Sequence, residues 1–402
     1  MKSLIFKIKW LLKFRTRFLL EDKKQKNIAL VVNSFNKGGL EKVVLNLYYG
    51  YKKQGYQVYI LCAFNDAPLA KNLYDLRDIY IFNNSPEKFI EFCWKKHINV
   101  LHYHYNTLML RAARQMGFKV LYTMHNVYTW FSREELIAYK QRLDSANYVV
   151  CVSKYVKDYY TAITGAKNAV VINNSLDFSL LDENYEDIPV TRESLGLKPQ
   201  QKTIGMVASF YPVKNQIGMI GVMEALIKTH PEAVLLCVGN VGDKEYYKNF
   251  SELLSRSSAR ENIIHIEYMD NKYMGQFLRQ TVDIFALPTL QEGFSNAVLE
   301  AIYAKKPVVI TDTGCARDVE QFSSVIVTRG AYDNIENVTK AQLDALSLLK
   351  ENPSTPLLVS ALEKVLDNLC DYCQKADLTA QQLENFTLEG MMTKYQALIE
   401  IV

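Results

Sequence analysis

At 402 residues, 49% hydrophobic and 22% charged, the chain has the composition of an ordinary globular protein, and its length implies two domains. The net charge is +4, yet residues 1–26 hold nine basic side chains against Glu21 and Asp22, so the remainder is net acidic; this argues against a nucleic-acid binder and for one basic arm. No run of about 18 uncharged apolar residues exists, which excludes a spanning helix, and seven scattered cysteines, an odd number, fit a reducing compartment.

The arm, residues 1–26, is interrupted by Lys7, Lys9 and Lys13 and lacks a small-residue cleavage site, so it is not a signal peptide. On a helix, Leu4, Ile8, Leu11, Leu12, Arg15, Phe18 and Leu19 share one side, with basic residues on much of the rest and Trp10 at the border. That pattern suits residues 1–20 to an anionic membrane surface, at the cytoplasmic face of the plasma membrane. Packing on the body of its own domain is the alternative, and the membrane reading is the favoured one.

Residues 27–182 read as a first Rossmann-like domain. Asn27–Val32 is a buried strand, Asn33–Gly39 (NSFNKGG) a turn, and Leu40, Val43, Val44, Leu47 and Tyr51 the inner face of a helix. Gly38 and Gly39 leave backbone amides open to a ligand, or simply make a tight turn. The pair is not a G-x-G-x-x-G, so no nicotinamide cofactor is expected, and no cofactor of any kind is. Signals continue at Gln57–Cys62, Lys71–Leu76, Ile79–Phe82 and Pro86–His97. In Val100–Tyr105 the alternation puts His102 and His104 on one face, with no third ligand near in sequence, so no metal site is expected. Val120–Asn126 ends in His125, at the carboxyl end of a strand, where ligands of open α/β sheets sit. A histidine there can donate to a substrate hydroxyl or stabilise developing charge, or it can be an ordinary loop histidine. A helix over Glu134–Arg142, a strand over Tyr148–Val152, Ser153 as N-cap of Lys154–Ile163, and a strand at Val170–Ile172 complete the domain.

Residues 183–200 are acidic, hold two prolines and break the periodicity, as a linker does. Residues 201–380 repeat the pattern: a strand at Lys202–Ser209, a loop with Lys214, a helix through Ile227, a strand ending in Gly239, a helix over Glu245–Leu254, and a strand at Ile263–Ile266. A lysine between strand end and helix start can meet phosphate as a point charge. Asp283–Leu287 then leads into PTLQEGFSNAVLE, Pro288 to Glu300. There the periodicity predicts a helix from Phe294, with Phe294, Val298 and Ile302 on one face. Glu292 and Gly293 stand at its entry and Glu300 about two turns in. Free amides and the dipole of a helix start suit phosphate, and flanking carboxylates suit sugar hydroxyls. The spacing alone fits a strand–turn–helix with two solvated glutamates just as well. Pro307–Thr311 is a further strand, followed by DTGCARD. Residues 381–402 form a last helix, with Leu388, Met391, Met392, Tyr395 and Leu398 at helical spacing, expected to pack back toward the first domain. Cys370 and Cys373 make one C-x-x-C without a second pair, too few ligands for zinc.

Taken in order, GGLEKVVLNL, the TMHN strand end, NSLD (Asn174–Asp177), the Lys214 loop, Gly239, EGFSNAVLE and PVVITDTG resemble the retaining nucleotide-sugar glycosyltransferases of glycosyltransferase family 4. The likeness runs from about Asn27 to the C-terminus. It implies an α/β fold of the GT-B kind, two Rossmann-like domains facing a cleft, with acceptor in the first and donor nucleotide in the second. It also implies roles. Glu300 would bind the donor ribose and Glu292 the donor sugar. The amides of Gly293 and Phe294 would meet the diphosphate, Lys214 would neutralise it, and Gly38 and Gly39 would close over it. His125 would lie near the reaction centre, while Ser209, Gly239 and Ser295 would complete the donor set. The family needs no metal, and the chain has no Asp-x-Asp. One departure is plain: where the family has Gly-Arg ahead of the lysine, this chain has Ala208 and Ser209. Arg317 is a candidate for the missing charge. The expected function is transfer of a sugar, UDP-linked, to a lipid-linked glycan in bacterial capsular or exopolysaccharide synthesis. The alternative is a non-catalytic subunit of the same fold that binds glycan or supports a partner transferase. An epimerase or phosphorylase on this fold is a third class, and no lysine stands out for a pyridoxal cofactor.

Overall fold

Residues 27–35, 39–64 and 78–401 are described in a computed structural model of the chain. The basic arm, Gly38 and the segment Lys71–Leu76 lie outside them. Apolar runs become strands: β1 (Asn27–Val32), β2 (Gln57–Cys62), β3 (Ile79–Ile81), β4 (Val100–His104), β5 (Lys119–Met124), β6 (Tyr148–Cys151) and β7 (Ala169–Val171) in the first half. The second half supplies β8 (Lys202–Val207), β9 (Ala233–Val238), β10 (Ile263–Ile266), β11 (Ile284–Leu287), β12 (Val308–Thr311) and β13 (Val325–Thr328). They form a seven-stranded sheet, β3-β2-β1-β4-β5-β6-β7, and a six-stranded sheet, β10-β9-β8-β11-β12-β13. Every pairing is parallel.

Parallel strands joined by helices are covered on both faces, which is why they are nearly continuous in apolar residues; β9, for example, is buried throughout. Each sheet reverses its strand order once, between β1 and β4 and between β8 and β11. At such a switch point the connections leave to opposite faces and open a crevice at the carboxyl ends of the strands. Lys214 follows β8 and Glu292 follows β11, the two strands that border the second of these points. The architecture is the expected α/β fold with two Rossmann-like halves.

The helix Leu388–Ile401 leaves the second half and buries Met391, Met392, Tyr395 and Ile399. These residues join Ile28, Leu30, Val32, Val44 and Tyr51 in the core on one face of the first sheet. The returning chain meets the outgoing one where Leu176 and Thr387 form a parallel bridge, with the Leu176 amide donating to Phe386 O at 3.1 Å. The stretch read as the linker, residues 183–200, makes bonds to the second half. The Tyr185 amide donates to the Gln276 side chain at 3.0 Å, and Arg192 pairs with Asp283 at 3.2 Å. Among the described residues no helix is long and apolar enough to cross a membrane.

Two elements differ from expectation. The helix after β11 spans Asn296–Tyr303, two residues later than its periodicity predicts. Ser295 is extended (φ −99°, ψ 111°), because the preceding residues are pinned by contacts described below. Phe294 is buried not as the first turn of that helix but beside Phe386, ring centroids 6.3 Å apart. Glu300 consequently lies in the second turn of a short helix, and the expected two-turn ruler from Glu292 is a loop plus one turn. Strand β13 carries only four residues, half of them partly exposed, and gives no periodic signal in the sequence.

Candidate functional site

The second switch point is built by tying two loops together. The loop after β8 closes as a short turn over Pro212–Lys214, and Asn215 adopts a left-handed conformation (φ 63°). Asparagine tolerates that region better than most residues because its short polar side chain bonds locally. Here the fully buried Asn215 amide donates to Pro288 O at 3.1 Å, and the Leu290 amide donates to Val213 O at 2.8 Å. The loop after β11 is thereby held beside Lys214, whose ammonium pairs directly with the Glu292 carboxylate. The other Glu292 oxygen accepts from the Gly293 amide at 3.1 Å. Gly239, at the end of β9, has φ +157°, and a Cβ there would overlap the Ala208 carbonyl. Only glycine allows that approach, which brings β9 against the Ala208–Ser209 turn. Ser209 itself is exposed.

The first half closes onto this loop. The Thr129 hydroxyl donates to the Gln291 side chain at 2.7 Å, and the Gln291 amide donates to Val127 O at 2.8 Å. The Ser153 hydroxyl donates to Gly293 O at 2.8 Å while also capping the Val156 amide. A Cβ at Gly293 would overlap the carbonyl oxygen of His125. Gly293 is therefore one place where the two domains touch backbone to backbone, beside the strand end that carries His125. Ser295 precedes the helix Asn296–Tyr303 without a side-chain cap, so its first amides have no capping side chain.

His125 does not act alone. Its Nε2 lies 2.8 Å from Nδ1 of His104, and His104 sits 4.4 Å, ring to ring, from His102. His102 Nε2 meets the Thr123 hydroxyl at 2.7 Å, which in turn lies 3.3 Å from the Tyr395 hydroxyl. Burial holds His102 and His125 down at about 3, with the His125 charge adding to the effect on His102. Burial, then the charges of His102 and His125, push His104 well below its ordinary value. All three are neutral at pH 7. His125 can therefore offer a hydrogen bond, not a full positive charge, and His104 governs which nitrogen carries its proton. His104 Nε2 is buried without a hydrogen-bond partner. The shared face of His102 and His104 is legible from the β4 alternation; their link to His125 depends on the β4–β5 pairing.

Glu300 lies on the far side of the helix entry. Burial pushes its carboxyl above the ordinary value, and the charge of Lys42 from the first half offsets part of that. Lys42 is in the first turn of the helix Gly39–Lys53, one turn past the glycine pair, and was not among the sequence candidates. Arg317, the candidate for the missing charge, is paired with carboxylates of both halves. Its guanidinium is engaged by Asp312 at 2.9 Å and by Asp158 at 2.7 Å and packs on Tyr155. The adjacent Asp318 accepts from the Lys154 amide at 3.1 Å. Arg317 and Asp318 thus bind the N-terminal end of helix Lys154–Thr164 across the domain boundary.

The site comprises a lysine–glutamate pair at the switch point of the second sheet and a histidine at the end of β5 in the first. Residues 37–180 match the model for "Glycosyltransferase Family 4", and residues 187–337 match that for "Glycosyl transferases group 1". The chain thus resembles glycosyltransferases of the GT-B kind, group 1 in its second half and family 4 in its first. It is 26% identical over 159 residues to the mannosylglucosylglycerate synthase of Thermotoga maritima, covering 36% of this chain and 37% of that protein. It is 23% identical over 244 residues to the capsular polysaccharide biosynthesis glycosyltransferase CapH of Staphylococcus aureus, covering 59% and 66%. The chain spans less than half the length of the first curated relatives it matches. Among solved structures, Anabaena Alr3699/HepE in complex with UDP superposes with a TM-score of 0.73 at 16% identity, over 94% of this chain and all of that one.

Proposed function

We propose that the protein is a retaining, metal-independent transferase that moves a sugar from a UDP-sugar to a growing, lipid-linked glycan in bacterial capsular or exopolysaccharide synthesis. The observation that carries the reading is the direct Lys214–Glu292 pair at the second switch point, closed from the other side by His125. An ammonium bonded to a carboxylate at a helix entry is a ready exchange partner. A diphosphate takes the lysine, and the freed carboxylate takes a sugar hydroxyl. Glu300 accepts from the ribose. Lys42, whose charge reaches Glu300, supplies the second cation that the Ala208–Ser209 turn lacks. The amides from Gly293 to Ser295 complete the anion seat.

In the transfer, the bond from the anomeric carbon to the diphosphate breaks and a bond to an acceptor hydroxyl forms on the same face. The hydroxyl proton leaves with the departing phosphate oxygen. Lys214, Lys42 and the amides meet the charge that develops on the leaving group. Neutral His125 donates a hydrogen bond toward the sugar without adding charge. The capsular relative and the UDP-bound structural neighbour support the polymer and the nucleotide. The basic arm 1–26 supports attachment at the inner face of the plasma membrane, next to a lipid-linked acceptor.

The test is UDP release from a panel of UDP-sugars with membrane extract as acceptor source. Release that requires Lys214 and Glu292 fits the proposal. No release from any UDP- or GDP-sugar would instead favour a glycan-binding partner subunit, which the exposed Ser209 in the arginine position also fits.

A further inference from the structure

Two bonds in the histidine row repeat one geometry. Strands β4 and β5 pair with His102 opposite Leu121 and His104 opposite Thr123. Each histidine reaches two residues further along the neighbouring chain, His102 to the Thr123 hydroxyl at 2.7 Å and His104 to His125 at 2.8 Å. A slip of one residue in that register would turn the side chains to the opposite face. The His104–His125 bond also fixes how each ring is turned, since rotating either one over would put a carbon where the bonded nitrogen stands. Neighbouring rings hold them there: His102 lies 4.4 Å from His104 and Tyr105 lies 5.4 Å from His125, centroid to centroid.

A single proton joins His104 Nδ1 to His125 Nε2, and burial decides which ring owns it. His104 is wholly buried, and its Nε2 has no hydrogen-bond partner among the described residues. If His125 owned the shared proton, a neutral His104 would accept at Nδ1 and carry its own proton at Nε2, as a buried N–H without an acceptor. If His104 owns it, Nε2 holds only an unused lone pair. Orphaned buried N–H groups are rarer in folded proteins than buried acceptors left without a donor. A charged His104 would bury the same orphan N–H and a charge besides; burial lowers the pKa of both rings, in agreement. The shared proton therefore sits on His104 Nδ1. His125 accepts it at Nε2 and carries its own proton at Nδ1. We infer that His104 is a positioning residue: by donating to His125 it holds His125 as the Nδ1–H tautomer, a fixed hydrogen-bond donor with no lone pair left to take a proton. The consequence for catalysis rests on the transferase reading. There His125 can anchor or polarise a sugar oxygen, but it cannot be the base that deprotonates the acceptor hydroxyl.

Long-range proton–nitrogen NMR on the full chain, labelled at its six histidines, reads the tautomer directly at pH 7, because protonated and bare ring nitrogens differ widely in chemical shift. The His125 signals are those lost in His125→Gln. They should show a protonated Nδ1 and a bare Nε2; a protonated Nε2, alone or together with Nδ1, would overturn the assignment. The wild-type spectrum decides this even if variants fold poorly. In His104→Leu the His125 proton should move to Nε2 in a large share of molecules, and an unchanged tautomer would remove His104 as its cause. Kinetics show whether the effect passes through His125. His104→Leu should slow UDP release about a hundredfold, the worth of one positioned donor, and should cause no further loss in the His125→Ala background. An equal loss in both backgrounds would mean a structural role only. A wild-type chain with the Nδ1–H tautomer but no UDP release from any UDP-sugar would count against the transferase reading and still support the role of His104.

Discussion

Glu292 and Glu300 look alike in the sequence and part company in the structure. Glu292 is held by Lys214 and by the amide of its neighbour Gly293, at the contact between the domains. Glu300 is buried deeper along the helix, and the charge of Lys42 offsets part of its desolvation. Glu292→Gln should therefore lower kcat about a hundredfold with little change in donor KM, the usual loss for a group that acts at the reacting centre. Glu300→Gln should raise donor KM about tenfold and leave kcat close to wild type; initial-rate kinetics with varied UDP-sugar separate the two. The raised Glu300 value adds a pH signature. Its carboxylate loses charge earlier than an ordinary glutamate as pH falls, so donor affinity should weaken on mild acidification, and Glu300→Gln should flatten that limb. Both glutamates were legible because a strand, a turn and a helical apolar face flank them. Lys42 and Asn215 were not, since one acts across the domain boundary and the other through a left-handed turn that no periodicity marks. The pairing of Arg317 was not legible for the same reason: its partner Asp158 lies in the other half of the chain.

Strands β4 and β5 carry more than sheet. Their pairing lines up His102, His104 and His125 with Thr123, and the final helix adds Tyr395 to the row. The three imidazoles are neutral when folded, while in the unfolded chain they titrate near 6.5. Below that pH the unfolded state binds more protons than the folded one, so stability falls as pH drops from 6.5 toward 3. Urea unfolding at stepped pH should show this loss, and His104→Gln should make the slope shallower; an unchanged slope would remove the histidine row as its source. The final helix is the other element whose role is testable. Tyr395 is 2% exposed and packs on Tyr51 and His102. Tyr395→Ala should cost about 3 kcal/mol, in line with other large buried rings, seen as a lower urea midpoint. Its apolar spacing was readable, and so was each strand with a long buried run. The start of the helix after β11 was misplaced because Gly293 is fixed by His125 and Ser153, long-range contacts that override the local pattern.

The whole molecule is two switch points brought face to face. Gly293 sits against the His125 carbonyl, Gln291 bonds to Val127 and Thr129, and Arg317 and Asp318 grip helix Lys154–Thr164. At Gly293 the contact is backbone to backbone and leaves no room for a side chain. Gly293→Ala should hold the halves apart, lowering kcat about a hundredfold, as ångström-scale misplacement does, and raising the radius of gyration in small-angle scattering. The two-domain α/β plan was legible from strands alternating with helices, whereas closure was not, because it is made of contacts between residues more than a hundred positions apart. A donor site at the second switch point must bind nucleoside diphosphate. Calorimetric titration of UDP into the wild-type chain and into Lys214→Ala decides it. Binding by the wild type that weakens about tenfold in the variant, the worth of one charge-assisted hydrogen bond, is the predicted result; no binding, or equal affinity in both, would contradict it.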